Sequence, residues 1–488
     1  MSMIRITDLT FAYDGSYDNV FENVSFRFDT AWRLGFTGRN GCGKTTFLNL
    51  LLDKYEYNGE IDSPVHFDYF PFEVEDNSCL TQEIVEQIIP NHEPWRLARE
   101  LSLLELNKEV LSGSFESLSM GERTKLLLAA LFLREGGFLL IDEPTNHLDM
   151  HAREVTSRYL RGKDGFLLVS HDRTFLDSCI DHILSINKTN IEIQRGNFSS
   201  WQANKQLRDE FEIAENDRLK KNITRLTEAS RRTAGWSEDI EKSKIGSHSA
   251  DRGFIGHKSA KMMRRANSTQ RRRESAVEEK SKLLHNLESV EALAVHPLTH
   301  HAKRLVELEG LCIRYGERTA CENVGFTVTT GQRLAVLGCN GSGKSSILKL
   351  ILGDDIAHTG RLDIANGLKI SYVSQDTSIL TGGLRTYAER CGIDESLFMT
   401  ILRKLDFSRI QFEKDMQNYS GGQKKKVLLA RSLCERAHLY IWDEPLNFVD
   451  VFSRLQLEQL ILTYKPTMIF VEHDRSFVDA VTTDVVTL

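Results

Sequence analysis

The feature that most constrains the fold of this chain is a phosphate-binding sequence that occurs twice among its 488 residues. GRNGCGKTT begins at Gly38 and GCNGSGKSS begins at Gly338, and both fit the pattern G-x-x-x-x-G-K-[ST]. Each lies between a short apolar run and an amphipathic one, as expected of a loop that joins a strand to a helix. Glycines allow backbone N–H groups to surround phosphate oxygens, and the helix N-terminus adds its positive end. The repeat therefore predicts two α/β domains, each with a nucleotide site.

The residues of both loops have predictable roles in binding ATP and Mg²⁺. The lysine reaches the β- and γ-phosphates, and the hydroxyl residue that follows it ligates Mg²⁺. The predicted nucleotide-binding residues of the first loop are Gly38, Asn40, Gly41, Gly43, Lys44, Thr45 and Thr46. Those of the second loop are Gly338, Asn340, Gly341, Gly343, Lys344, Ser345 and Ser346. Among these, the predicted metal ligands are Thr45 and Ser345.

Two further motifs repeat at nearly the same spacing. In LLIDEP and YIWDEP, an apolar run leads into two acids, as in a buried strand that ends at a phosphate site. The first acid suits Mg²⁺ binding, the second suits orienting and deprotonating the attacking water, and the histidines of LVSHDR and FVEHDR suit γ-phosphate sensing. The residues so predicted are Asp142, Glu143 and His171 in one copy, and Asp443, Glu444 and His473 in the other. The offsets between copies stay between 300 and 302 residues, which indicates a duplicated domain.

In this order, the motifs resemble those of the ATP-binding cassette superfamily. The resemblance covers about residues 1–198 and 303–488, and it includes SLSMGE and NYSGGQ, which match the signature sequence of that family. In the family, two cassettes pack head to tail, and ATP lies between the phosphate-binding loop of one and the signature of the other. The resemblance therefore implies that the first site, at Lys44, is completed by Ser420, Gly421, Gly422 and Gln423. It implies that the second site, at Lys344, is completed by Ser119, Gly121 and Glu122. One chain supplies both halves, so we expect a monomer with an intramolecular cassette pair.

The two sites differ at a glutamine that the family uses to contact Mg²⁺ and the attacking water. The second cassette has Gln375, a predicted metal ligand, but the first has Phe72 there, and an aromatic ring cannot ligate a hard cation. Either the first site hydrolyses ATP slowly, or the alignment is displaced by one or two residues. Tyr13 and Tyr315 match the adenine-stacking aromatic of the family, although either could be an ordinary strand tyrosine.

About 100 residues join the cassettes, and they are predicted to form an α-helical hairpin. Apolar residues between Leu207 and Leu226 recur every three or four positions, as on one face of a helix, and a second such run covers about residues 260–293. Each arm of ~35–40 residues would span on the order of 50–60 Å. The predicted layout is a first cassette at 1–198, a linker at 199–302 with its tip at about 242–262, and a second cassette at 303–488.

The far end of the hairpin is strongly basic, although the whole chain has a net charge of −7. Between Lys242 and Arg273 there are ten Lys or Arg residues and one acid. Such a block favours contact with a phosphate backbone, the alternative being a solvated, disordered tip. The residues predicted to act at this tip are Lys242, Lys244, Phe254, Ile255, His257, Lys258, Lys261, Arg264, Arg265, Arg271, Arg272 and Arg273.

Two cassettes around a long basic hairpin resemble the ABC-F family of ribosome-associated ATPases, and more narrowly its Lsa-type antibiotic-resistance members. LIDEPTNHLD, RLTEASRRTAGWS and LYIWDEPLNFVDVF carry this resemblance, which covers essentially the whole chain. It implies binding in the E-site of the bacterial 70S ribosome, with the tip near the P-site tRNA and the large-subunit rRNA of the peptidyl-transferase centre. It also implies displacement of lincosamides, streptogramin A compounds and pleuromutilins, with ATP hydrolysis driving release.

Alternatives to this function remain open. A housekeeping ABC-F translation factor without resistance activity would share every cassette residue. The ATPase subunit of a drug exporter would not need the basic hairpin, and chromosome-organising ATPases carry far longer inserts within a cassette. The N-terminus lacks the apolar segment of a signal peptide, and no 18-residue apolar run suggests a membrane span. Eight scattered cysteines fit a reducing compartment, so we expect a cytoplasmic protein without a membrane partner.

Overall fold

The computed structural model describes residues 2–15, 19–90, 92–186, 191–243, 293–316 and 318–488, without the side chains of 222–223, 226–227, 229–243 and 318. The chain divides into two compact units. One comprises Met1–Trp201 together with Val290–Leu488, and the other comprises Gln202–Ser289. Both cassettes therefore belong to one unit.

The first cassette alternates strands and helices around its phosphate-binding loop. Its elements are β1 (Met3–Phe11), β2 (Phe21–Asp29), β3 (Arg33–Thr37), α1 (Lys44–Leu51), β4 (Asn58–Asp62), β5 (His66–Phe70), α2 (Thr81–Ile88), α3 (Pro94–Leu103), α4 (Met120–Leu131), β6 (Gly137–Asp142), α5 (Met150–Arg161), β7 (Phe166–Val169), α6 (Arg173–Cys179), β8 (His182–Ile186) and β9 (Ile191–Arg195). Two 3-10 turns, Lys108–Ser112 and Phe115–Ser117, precede α4.

Two sheets organise this cassette. Strands β2, β1 and β4 form an antiparallel sheet in that order, and β5, β6, β7, β3, β8 and β9 form a second sheet that is parallel except for β9. The central strands β6, β7 and β3 are almost wholly buried, which explains why they read as continuous apolar runs. Their carboxyl ends meet at one edge of the sheet, and this edge carries the functional motifs.

Helix α7 (Phe198–Ser243) follows the first cassette and has 46 residues. It exceeds the expected arm of about 35–40 residues because it continues through Gly235, and one glycine costs a helix only about 1 kcal/mol. Of the predicted apolar stripe, Leu207 and Phe211 are exposed. The backbone of Lys242 lies in this helix, but its side chain is not described. All other predicted tip residues, from Lys244 to Arg273, and most of the second arm lie outside the described residues.

The second cassette repeats the plan of the first. Its elements are β10 (Arg304–Tyr315), β11 (Arg318–Thr329), β12 (Arg333–Leu337), α8 (Lys344–Leu352), β13 (His358–Ile364), β14 (Ile370–Val373), α9 (Leu384–Cys391), α10 (Glu395–Lys404), α11 (Gly421–Cys434), β15 (Leu439–Asp443), α12 (Val451–Tyr464), β16 (Met468–Val471), α13 (Arg475–Val481) and β17 (Asp484–Thr487). The 3-10 turns Arg409–Glu413 and Met416–Asn418 precede α11.

The sheets of the second cassette match those of the first. Strands β11, β10 and β13 are antiparallel, and β14, β15, β16, β12 and β17 form a parallel sheet in that order. The prediction of two tandem α/β cassettes is confirmed. None of the helices within the described residues is both long enough and apolar enough to cross a membrane.

Candidate functional site

Both phosphate-binding loops have the same local geometry. Gly43 and its counterpart Gly343 have φ of 98° and 87°, so each helix begins after a residue in the left-handed region, where glycine is favoured. Lys44 donates from Nζ to the carbonyl oxygens of Gly38 and Arg39, at 2.7 and 3.0 Å. Lys344 makes the two equivalent contacts at 2.8 Å each. Each buried lysine is thus held against its own loop, where a phosphate would sit.

The two predicted aromatic residues lie beside these loops. Tyr13 and Thr46 share a hydroxyl–hydroxyl hydrogen bond of 2.6 Å, and Tyr315 donates to Ser346 at 3.0 Å. Both rings are exposed and line the cavity next to their loop. The stacking role of both rings stays a prediction.

The predicted metal ligands converge at the end of a central strand in each cassette. In the first, Thr45 donates to Asp142 Oδ2 at 3.3 Å, and Tyr69 donates to the same oxygen at 3.1 Å. In the second, Asp443 has a buried oxygen, Oδ1, without a hydrogen-bond partner in the described part of the chain. Burial raises the pKa of both aspartates. Buried carboxylate and hydroxyl oxygens are the ligands that Mg²⁺ prefers, so this donor set fits the ion.

The two predicted bases, Glu143 and Glu444, share an unusual backbone. Their φ values are 48° and 47°, a left-handed conformation that residues other than glycine rarely adopt. A hydrogen bond from each backbone N–H to the neighbouring strand holds this turn, at 2.9 Å to Val169 and 3.0 Å to Val471. Such strained positions cluster at functional sites. The turn aims both carboxylates into the cavities beside the loops.

The surroundings of the two carboxylates differ. Glu444 Oε2 accepts from Gln375 Nε2 at 2.9 Å and from Asn447 Nδ2 at 2.6 Å. Burial would raise the pKa of Glu444, but the adjacent His473 and the Gln375 amide hold it below its usual range. Glu143 Oε1 is buried without a hydrogen-bond partner among the described residues. Burial, with the charge of Asp142, raises the pKa of Glu143 to about 8.

The predicted histidines lie next to the glutamates in both cassettes. The Nε2 atom of His171 is 3.3 Å from Glu143 Oε1, and that of His473 is 3.6 Å from Glu444 Oε1. Burial, with the charge of Lys44, lowers the pKa of His171 well below its usual value, which favours a neutral ring. Both rings line their cavities, as a sensor of the γ-phosphate must.

The strand register identifies the residue of the first cassette that stands in the place of Gln375. Tyr69 pairs with Leu140, two residues before Asp142, and Tyr372 pairs with Ile441, two residues before Asp443. Phe72 and Gln375 each come three residues after these tyrosines. Counted from the paired strands, Phe72 and Gln375 therefore occupy equivalent positions, without a displacement of the alignment within β5 and β14. Phe72 packs against the hydrophobic core of the first cassette.

The signature sequences open helices that face the opposite cassette. Ser119 and Glu122 form a capping box at the start of α4, and Ser420 and Gln423 form one at the start of α11. The positive ends of these helices suit an anionic ligand. Met120, which stands where the second signature has Gly421, is exposed.

One cavity lies between each phosphate-binding loop and the signature of the other cassette. The first, of about 520 Å³, is lined by Tyr13, Asn40, Gly41, Gly43, Lys44, Thr45, Thr46, Asp142, Glu143 and His171, and across from them by Ser420, Gly421, Gly422 and Gln423. The second, of about 1010 Å³, is lined by Tyr315, Asn340, Gly341, Gly343, Lys344, Ser345, Ser346, Gln375, Glu444 and His473, and across from them by Ser119, Gly121 and Glu122. Of the predicted cassette residues, Gly38, Gly338 and Asp443 do not line a cavity. The structure thus brings together the two composite sites that the resemblance implied.

Contacts between the cassettes are closer at the first site. Asn40 donates from Nδ2 to the carbonyl oxygen of Phe448 at 2.9 Å, and Arg39 pairs with Asp406. A Cβ on Gly422 would lie 3.2 Å from Asn40 Nδ2 across the site. At the second site, Asn340 makes two longer bonds, each of 3.4 Å, to Asp149 and His147. A Cβ on Gly121 would have no described atom of the second cassette within 4 Å.

Further polar contacts lie between the two cassettes, away from the loops. Arg173 donates to Glu458 at 2.6 Å, and both side chains are mostly buried. Its counterpart Arg475 forms an exposed ion pair with Asp479 of its own cassette, at 3.7 Å. Thr174 and Ser476, which are equivalent positions, share a hydrogen bond of 2.7 Å.

Several of these residues were missed by sequence reasoning. They include Tyr69, which contacts Asp142, and Asn447, which contacts Glu444. They also include Arg39, which lies in the first phosphate-binding loop and pairs with Asp406. A comparison of the two copies gave one usable signal, because Arg39 stands where the second loop has Cys339. No difference of this kind between the two copies pointed to Asp406, the partner of Arg39.

Comparisons with known proteins agree with this geometry. The family model described as ABC transporter matches residues 21–146 and 321–447. The chain is 28% identical to the ribosome protection protein VmlR of Bacillus subtilis, over 98% of the chain and 86% of that protein. It is 25% identical to the putative ATP-binding protein YdiF of Bacillus subtilis, over 100% of the chain and 80% of the relative. It is 27% identical to the ATP-binding protein Uup of Caulobacter vibrioides, over 96% of the chain and 74% of the relative.

Solved structures share the fold. An archaeal ribosome recycling factor aABCE1, in complex with the ribosomal stalk protein aP1, has a TM-score of 0.63 at 19% identity, covering 98% of this chain and 87% of that one. An RNase-L inhibitor has a TM-score of 0.59 at 20% identity, covering 93% of this chain and 82% of that one. At this identity, the likeness concerns the fold alone.

Proposed function

The chain belongs to the ABC transporter family, in its ABC-F branch of ATPases, and from that premise we propose that it binds bacterial ribosomes and protects them from antibiotics. The observation that carries the proposal is the composite nature of both sites. Each phosphate-binding loop faces a signature helix of the other cassette, so ATP bound in a cavity contacts both cassettes at once. ATP binding would close the pair, and hydrolysis would reopen it.

The second site has the more complete set of groups for hydrolysis. Glu444 is the base, and the amides of Gln375 and Asn447 orient its carboxylate. Mg²⁺ would be held there by Ser345, Asp443 and the side-chain oxygen of Gln375. In the first site it would be held by Thr45 and Asp142. Mg²⁺ neutralises negative charge on the β- and γ-phosphates when it is bound. The first site has Phe72 in place of the glutamine, so we propose that it binds ATP but hydrolyses it slowly.

The ribosomal part of the proposal is supported by the full-length likeness to VmlR and by the charge of the linker. A block with ten basic residues and one acid, from Lys242 to Arg273, would neutralise RNA phosphates, a contribution that weakens with salt. In the closed form, the linker would enter the E-site, and its tip would displace lincosamides, streptogramin A compounds or pleuromutilins by shifting tRNA or rRNA. Hydrolysis at Glu444 would then release the protein. The place of action is the bacterial cytoplasm.

A second candidate is a translation factor without resistance activity. The similar identity to YdiF and Uup, whose names mention only ATP binding, favours keeping it. The two candidates share the cassettes and differ in what the linker tip does.

Cell-free bacterial translation tests both. Lincomycin or tiamulin stalls synthesis, and the purified chain is titrated in with ATP. We expect synthesis to recover with the full chain and to stay blocked with a variant in which residues 242–257 are replaced by a short Gly-Ser loop. Equal ATPase activity in both proteins is the control for folding. Ribosome binding without recovery would favour the translation factor, and the lack of ATP-dependent ribosome binding would overturn the proposal.

A further inference from the structure

The second cassette contains a buried lysine, Lys425, that contacts the residues just before Gln375 and Glu444. Lys425 is in α11 and only 2% of it is exposed. Its Nζ donates to the backbone oxygen of Ser374 at 2.8 Å and to that of Asp443 at 3.2 Å. Asp443 is the last residue of β15, and Ser374 directly follows β14, the strand paired with β15. One ammonium group therefore bridges two neighbouring strand ends.

The bridged residues have functional neighbours in the sequence. Ser374 immediately precedes Gln375, and Asp443 immediately precedes Glu444. The side chains of Gln375 and Glu444 meet at 2.9 Å. A shift of either strand end would lengthen this hydrogen bond, and an error of about 1 Å in such geometry is costly for catalysis.

At the equivalent positions of the first cassette, neither the lysine nor the glutamine is present. Lys425 comes five residues after Ser420, and the residue five after Ser119 is Thr124. The Thr124 hydroxyl donates to the backbone oxygen of Met120 in its own helix, at 3.0 Å. Phe72 stands where the second cassette has Gln375. A lysine is thus found in the cassette that has a glutamine to position, and a threonine in the one that does not.

We propose that Lys425 is a positioning residue for ATP hydrolysis at the second site, where it holds the two strand ends at the separation at which Gln375 orients Glu444. Lys425 lines the second cavity, but its Nζ donates to two backbone oxygens, whereas Gln375 and Glu444 would act on water and Mg²⁺. This inference rests on the ATPase part of the proposed function and is independent of the ribosome.

The test uses the full chain with Glu143→Gln, so that turnover reports on the second site. Lys425→Met keeps the length of the side chain and removes both hydrogen bonds. We expect kcat for phosphate release to fall about tenfold or more, with KM for ATP within about twofold, because the loop and signature remain intact. Lys425→Gln, which can still reach one of the two carbonyls, should lie between the parent and Lys425→Met. The matched control is Thr124→Val, which should leave kcat unchanged.

A double-mutant cycle separates positioning from a merely structural role. If Lys425 acts through Gln375, then Lys425→Met adds little to the loss caused by Gln375→Ala. Two losses that multiply, or a kcat of Lys425→Met within twofold of the parent, would overturn the inference while leaving the proposed function intact. If Glu143→Gln alone abolishes turnover, hydrolysis does not belong to the second site alone, and both the division of labour and this inference fail. Should Lys425→Met misfold, Lys425→Gln carries the same test.

Discussion

The two ATP sites are built from the same motifs, but they differ in two respects. The first has the closer contacts between the cassettes, and the second has more hydrogen bonds to its glutamate. The first has the smaller cavity, an ion pair between Arg39 and Asp406 and a hydrogen bond from Asn40 to the facing cassette. The second has twice the cavity volume and longer contacts, but its glutamate has two amide donors. The difference suggests a division of labour, in which one site holds the cassettes together and the other hydrolyses ATP.

The largest expected effect is on the base. Glu444→Gln should lower steady-state ATP hydrolysis by about 10²–10⁴, because that is the usual contribution of a general base. Glu143→Gln should change the rate little, since no amide within the described residues donates to Glu143 Oε1 and Phe72 stands in the place of Gln375. Phosphate release by the two purified variants measures this directly. Equal losses would mean that both sites turn over together and would break the comparison.

A smaller effect is expected from the contacts between cassettes. Arg173→Ala removes a mostly buried pair with Glu458, and we expect it to destabilise the closed form by about 1–2 kcal/mol, a value between those of exposed and buried pairs. This corresponds to a roughly 5–30-fold higher ATP concentration for half-closure. Energy transfer between fluorophores on the two cassettes, in the Glu444→Gln background, measures closure.

The chain offers a matched control for this change. Arg475 occupies the equivalent position and forms an exposed pair within its own cassette. Arg475→Ala should leave the half-closure concentration nearly unchanged. If both arginines matter equally, the cassettes do not close around the asymmetric contacts described above.

The smallest effect is a gain. Phe72→Gln restores the amide that the first site lacks, and in the Glu444→Gln background it should raise the residual ATP hydrolysis several-fold. The rise should be modest, because the lysine bridge of the second cassette is absent and Thr124 cannot replace it. Loss of packing by the half-buried ring should lower the free energy of unfolding by about 1–2 kcal/mol. A Phe72→Ala variant, which loses the ring without gaining the amide, separates the two effects in phosphate-release and thermal-unfolding assays.

Short motifs made the loops, the acids and the signatures predictable from sequence. Each motif has a local physical task, such as the left-handed turn of Gly43, so its spacing within one element carries the information. The pairing of loop with signature came from the family resemblance, because spacing within one cassette does not say what the other cassette contributes. The equivalence of Phe72 and Gln375 needed the strand register, which the offsets alone left open.

Contacts between distant parts of the chain were not predictable. Arg39 and Asp406 are 367 residues apart, and Arg173 and Glu458 are 285 apart. Lys425 stands in the run KKK, which in a sequence looks like a solvated surface. In the fold, the second and third lysines of that run are buried, and Lys426 pairs with Asp450 at 2.7 Å. Burial of a charged residue depends on partners that the local sequence does not contain.

The hydrogen bond between Thr174 and Ser476 bears on how such unequal sites could arise. The two residues occupy the same position in their cassettes, so each meets its own counterpart, as residues on the axis of a two-fold dimer do. In a dimer of identical subunits, any substitution at one site appears at the other as well. Two cassettes on one polypeptide are free of that restriction, and a single mutation can specialise one site while its twin keeps the original chemistry.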